Sequence, residues 1–210
     1  QSSPGIVGFG DPNVAPRMLW DTVLDLFQNG GDFVDDLEPP SPADLAHWRT
    51  TITAARELIG RVDPDLVTLM GHLQSLVILA QPGVESRLKG RSFGGATCFF
   101  FRGGTVLNVA RSISVTMMVE LLVHEYGHAE LFVLAQEQPL CLNSDDERHS
   151  VLIRSDPRPM NGIIHSLYVV GRVVDVLQQL LKDGLAAEAQ RNAILADMRT
   201  ILSQQLHFGQ

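Results

Sequence analysis

Apolar residues recur along this chain with two different periods, and the periods predict its elements. From Val14 to Gln28 the positions Met18, Leu19, Val23, Leu24 and Phe27 form a helical stripe, which "NGGDF" terminates. Ser41 then offers an N-cap and Pro42 a first helical position, and Leu45, Trp48, Ile52, Ala55 and Leu58 carry a second stripe to Gly60. The runs "SLVILA" (75–80) and "ATCFFF" (96–101) are short, rich in β-branched or aromatic residues and bounded by Gly and Pro, which predicts strands. Gly103 and Gly104, between "CFFFR" and "TVLNVA", predict a hairpin turn, so at least three strands are expected in a small antiparallel sheet. From Ser114 to about Gln136 the pattern is helical, with Val115, Met118, Leu122, Val123 and Phe132 on several sides, which predicts burial on more than one face. The polar segment "NSDDERHS" predicts a loop. After "SDPRPMNG" a second buried helix is expected from about Gly162 to Leu181, and Gly184 separates it from an amphipathic helix ending near Leu206.

Composition narrows the function. With 210 residues, 45% of them hydrophobic, the chain suits one soluble domain with a substantial core. A formal charge of −8 argues against a nucleic-acid partner, which clustered Lys and Arg would have to recognise, and is compatible with a neutral or basic peptide. No membrane-spanning segment is expected, because no apolar run stands out near the roughly 20 residues that span a bilayer. The polar start "QSSPGIVGFGDPN" lacks the features of a signal peptide, so a cytoplasmic protein without a membrane partner is expected. Cys98 and Cys141, the two cysteines, are expected as reduced thiols.

The chemistry concentrates in "ELLVHEYGHAELF" (120–132), where His124, Glu125 and His128 make an H-E-x-x-H motif. Residues four apart share a helix face, so the two imidazoles can meet one metal ion, and Glu125 lies about 100° round the helix. Glu120, a turn earlier, is a candidate to orient an imidazole or an ordinary solvated carboxylate. A third ligand decides the class. The extended peptidase signature needs Gly and His where Leu131 and Leu134 stand, which excludes it. Glu147, the thermolysin-like choice, and His149 both fall in a polar loop. His165 is the stronger candidate, on a helix stripe with Tyr168, Val169 and Arg172. Arg172 lies roughly 10 Å along the axis from His165. On spacing alone it either holds the far end of a small dicarboxylate or pairs with Asp175 at i+3.

The combination of "LLVHEYGHAELF" with "SDPRPMNGIIHSLYVVGRV" resembles the H-E-x-x-H peptide-modification family of ribosomal peptide natural-product pathways, over roughly residues 93 to 180. The second element reads R-P-x-x-G-x-x-H through Arg158, Pro159, Gly162 and His165. The resemblance implies iron(II), 2-oxoglutarate and O2 as cofactor and cosubstrates for β-hydroxylation of a residue in a precursor peptide. It implies His124, His128 and His165 as metal ligands and Arg158 or Arg172 as the cosubstrate anchor, with Tyr168 beside it. Glu125 is the general base if the protein is instead a zinc metallopeptidase, and its part in an oxygenase stays open. Three neutral imidazoles leave a dication uncompensated, which favours a dianionic chelator, although the same donors also suit zinc. A non-catalytic, metal-stabilised binding domain is the third class. The expected fold is therefore α+β, a predominantly helical single domain with a small antiparallel sheet and the metal site between two buried helices. Residues 1–90 would form an N-terminal helical part and residues 91–210 the metal-binding part.

Overall fold

The structure is a computed structural model that describes residues 4–29, 34–110, 113–150 and 157–184, with the backbone alone at Phe27 and Asn29. Strand β1 (Gly5–Gly8) leads to helix α1 (Arg17–Asn29), then to the two-residue strand β2 (Leu37–Glu38) and helix α2 (Pro42–Val62). As expected, Ser41 caps α2: its hydroxyl accepts from the Asp44 amide at 3.1 Å. Asp63 then ends α2 and caps α3 (Pro64–Leu73), accepting from the Leu66 amide at 2.8 Å, and Pro64 prevents the two helices from fusing. Strand β3 (Leu76–Pro82), the short helix α4 (Val84–Leu88), strands β4 (Gly95–Ala96) and β5 (Gly104–Asn108), and helices α5 (Val115–Leu134) and α6 (Met160–Lys182) follow. The amphipathic helix expected to end near Leu206 lies outside the described residues.

The sheet is mixed, which corrects the antiparallel expectation. Its order is β1-β3-β5-β4; β1 and β5 run parallel to β3, while β4 is antiparallel to β5 and β2 to the end of β3. The reason is that β3 is covered on both faces, as strands in parallel arrangements usually are. Val77 and Leu79 point into a core made with Trp48, Ile52, Met118, Leu122 and Tyr126 of the helices. Ile78 and Ala80 point the other way, against Trp20, Val23 and Val34. Strands from before and after residue 90 thus share one sheet. The run 96–101 is not a strand beyond Ala96. The chain turns there instead, with Gly103 at φ +80°, and the Phe101 ring occupies the space over Gly104 that a Cβ would need. Phe100 is left 83% exposed. Cys98 and Cys141 are free thiols.

Helix α5 is buried on several sides, as its pattern predicts, from Met118 and Val119 through Tyr126 to Leu131. Ser114 caps it through the Met117 amide at 3.2 Å. Helix α6 departs from expectation. Val169, Val173, Val176, Leu177 and Leu180 are buried, but Leu167 is 40% exposed, so the helix is amphipathic. By length and composition α6 is also apolar enough to cross a membrane, a run the sequence reading had not recognised; in this fold its apolar face packs on α5.

Candidate metal centre

Helix α5 carries His124 and His128 one turn apart, and their ring centroids are 5.0 Å from each other. Helix α6 brings His165 to 5.8 Å from His128, and Phe132, a turn further along α5, packs 5.5 Å from His165. Gly127 makes this approach possible. A Cβ there would lie 3.1 Å from Val169 Cγ2 and 3.2 Å from Val169 Cα, so only a residue without a side chain lets the helices come so close. Burial lowers the pKa of all three histidines, and that of His128 falls to about 3 because His124 and His165 also oppose its protonation. All three are therefore neutral at physiological pH, the form that binds metals.

Neutral imidazoles are donors of a type that suits a divalent ion. With a metal–nitrogen bond of roughly 2.1 Å, imidazole centroids on one ion stand about 4.5–5.2 Å apart. The His124–His128 spacing of 5.0 Å lies inside that range, and the His128–His165 spacing of 5.8 Å exceeds it. Among the described residues no three His, Cys, Asp or Glu side chains are grouped so that they could hold a metal ion as they stand.

Glu125 faces another way. It is only 3% exposed, and its Oε2 accepts from Thr97 Oγ1 at 2.8 Å. Thr97 lies 3.1 Å from Thr105 Oγ1, and Gln74 Nε2 reaches the Leu122 carbonyl at 3.3 Å, so a polar thread runs beneath the motif. A Cβ at Gly95 would lie 2.5 Å from Glu125 Oε1; the carboxyl takes up the space that glycine leaves on β4. Burial pushes the Glu125 pKa up to about 7, the hydrogen bond from Thr97 only partly opposing it. Glu125 and His124 line the same cavity of about 400 Å³, together with Trp48, Asn108, Met117 and Glu120. His124 keeps an exposed edge towards this space although protein surrounds most of the ring.

Arg172 and Tyr168 are engaged by Glu130, a residue the sequence reading passed over. Arg172 donates from Nε to Glu130 Oε2 at 2.9 Å and from Nη2 to Oε1 at 2.5 Å, and Tyr168 Oη donates to Oε2 at 2.6 Å. Burial raises the Glu130 pKa, but these hydrogen bonds outweigh it and the net shift is downward. The hydrogen bonds to Glu130 raise that of Arg172. Asp175, the partner that spacing offered as one of two alternatives, accepts from Gln179 at 3.2 Å. A signal was available in the sequence: Glu130 and Arg172 are opposite charges on the two apolar helices that carry the histidines.

The other candidates separate. Arg158 stands just before α6, its main chain paired with that of His149 through hydrogen bonds of 2.8 and 2.9 Å. Glu147 is exposed and accepts from Asn143 at 2.9 Å, as a loop carboxylate should. Models of known protein families give no match to the chain, and curated proteins give none either.

Proposed function

We propose that the protein is an iron(II)- and 2-oxoglutarate-dependent oxygenase that hydroxylates a β-carbon in a ribosomally made precursor peptide. The convergence of His165, from the R-P-x-x-G-x-x-H element, on the H-E-x-x-H pair carries the reading, because it joins the two motifs on which the family resemblance rests. His124, His128 and His165 would hold the iron as neutral imidazoles. No carboxylate in this donor set compensates the ion, so a dianionic cosubstrate suits it. Arg158, which belongs to the R-P-x-x-G-x-x-H element, is the anchor that the resemblance offers for the distal carboxylate beside Arg172, whose fork is held by Glu130. With iron bound, 2-oxoglutarate and O2 yield succinate and CO2, one oxygen atom entering the succinate and the other the peptide C–H bond. The cavity beside His124 and Glu125 would receive the peptide, with Trp48 and Met117 as apolar walls.

One observation favours a second reading, a zinc metallopeptidase. Glu125 shares the cavity with His124 and has a pKa near 7, where a carboxylate can take a proton from water. The experiment that separates them supplies ferrous protein, 2-oxoglutarate, air and a panel of precursor peptides. Succinate together with an uncut peptide heavier by one oxygen supports the oxygenase. Fragments formed with zinc and without 2-oxoglutarate would replace it with the peptidase.

A further inference from the structure

Three of the contacts between helices α5 and α6 point to a role for a residue outside the metal-binding motifs. Gly127 against Val169 is the pivot. On α5, at about 100° per residue, His128 and Glu130 project on opposite sides of Gly127. His165, Tyr168 and Arg172 share one stripe of α6, so His165 meets His128 on one side of Gly127 while Tyr168 and Arg172 meet Glu130 on the other side of it on α5.

We propose that Glu130 is a positioning residue: by holding Tyr168 and Arg172 it fixes the rotation of α6 about its own axis and so sets His165 opposite His124 and His128. This rests on the reading of the three histidines as a metal centre. The apolar contacts, Gly127 against Val169 with Val173 and Leu177 buried along the same face, hold the helices together, and a directional polar contact adds a constraint on rolling. A roll of about 20° would carry a side-chain group some 6 Å from the axis through about 2 Å, far beyond the few tenths of an ångström that metal–ligand bonds tolerate. A carboxylate accepting three hydrogen bonds, two of them from the rigid fork of one guanidinium, has a single good orientation. It also neutralises Arg172, so the clamp adds no net positive charge beside a cation.

The test measures Co2+ affinity, by its visible absorption in competition with a chelator, in full-length metal-free protein. Glu130→Gln should weaken binding about tenfold to a hundredfold, the usual effect of removing a group that orients a ligand. Tyr168→Phe, which removes one hydrogen bond and leaves the ion pair, should weaken it less; it carries the test if Glu130→Gln does not fold. In a His165→Ala background the Glu130 substitution should change the affinity no further, because the residue through which it acts is gone. Ile59→Val, in the core of α2, should lower Tm without moving the affinity. Unchanged Co2+ binding in the Glu130 and Tyr168 variants overturns the proposal. So does a loss of equal size in the His165→Ala background, or a matching loss in Ile59→Val. Failure of the wild type to take up Co2+ overturns the metal reading itself, and the clamp with it, whereas tight wild-type binding that the variants share overturns the clamp alone.

Discussion

Replacing Glu125 by Gln keeps the shape of a buried side chain and removes its ionisation, so the pH dependence of the change isolates one carboxyl. In the folded protein that group sits at about 7 against an ordinary 4.5. Between these values the folded state holds a proton that the unfolded chain has released, so the group's contribution to stability falls as pH rises through the window. At about 1.4 kcal/mol per pH unit, the cost above the window amounts to about 3 kcal/mol. Since the residue is 3% exposed, solvent does little to screen it. In protein freed of divalent ions, Glu125→Gln should match the wild type near pH 4.5, the lower edge of the window, and exceed it by about 3 kcal/mol at about pH 8. That corresponds to roughly 6–12 °C in Tm for a chain of this size. Urea unfolding at the two pH values measures it. A gap of the same size at both, or a less stable variant at high pH, would refute the assignment of a burial-raised carboxyl.

His128 behaves with the opposite sign. Its pKa is held at about 3 against 6.5, so the unfolded chain gains a proton first as pH falls, and the metal-free wild type should lose more stability below pH 6.5 than His128→Gln does, again read by urea unfolding. His165→Ala should bind metal so much more weakly that it is lost on gel filtration, and Glu147→Ala should retain it, by elemental analysis of the eluted protein. Arg158→Lys should raise the apparent KM for 2-oxoglutarate about tenfold or more with iron content unchanged, whereas Arg172→Lys should lower iron affinity instead. Gly127→Ala gains helix propensity but presses against Val169, including its backbone, so a net loss of about 1 kcal/mol and weaker metal binding are expected from thermal melts and titration.

What could be read from the sequence was local. Ser41 and Pro42, the apolar stripe of α5 and the Gly103 turn each announce themselves within a few residues, and the structure has them. Asp63 and Pro64 gave the same kind of start signal for α3, and it was passed over. Strand β1 could not be read, because "GIVG" is four residues with two glycines and its pairing with β3 comes from about 70 positions away. Parallel pairing leaves no trace in a period of two, so the sheet was assigned the direction that its one visible hairpin suggested. The "ATCFFF" run misled because aromatic content marks a corner as well as a strand. In the site, the spacing of H-E-x-x-H located two histidines, but the partner of Arg172 depended on how two helices lie together, which no spacing within one helix can report.

The interleaving of the sheet also has a consequence for how the chain comes together. Strand β3 lies between two parallel neighbours, one about 70 residues upstream and one about 28 downstream. Neither contact is local, and closing such loops costs entropy before any ladder repays it. As the chain emerges from its N-terminus, β3 is made long before β5 and α5 exist to cover it. Until then "LVILAQP" offers a long apolar edge to any other strand nearby. The segment that ends this vulnerability is the one that carries the histidines, because Met118, Leu122 and Tyr126 of α5 close the core over Val77 and Leu79. Substitutions that loosen α5 should therefore lower the yield of soluble protein at high expression temperature before they alter the native state that does form.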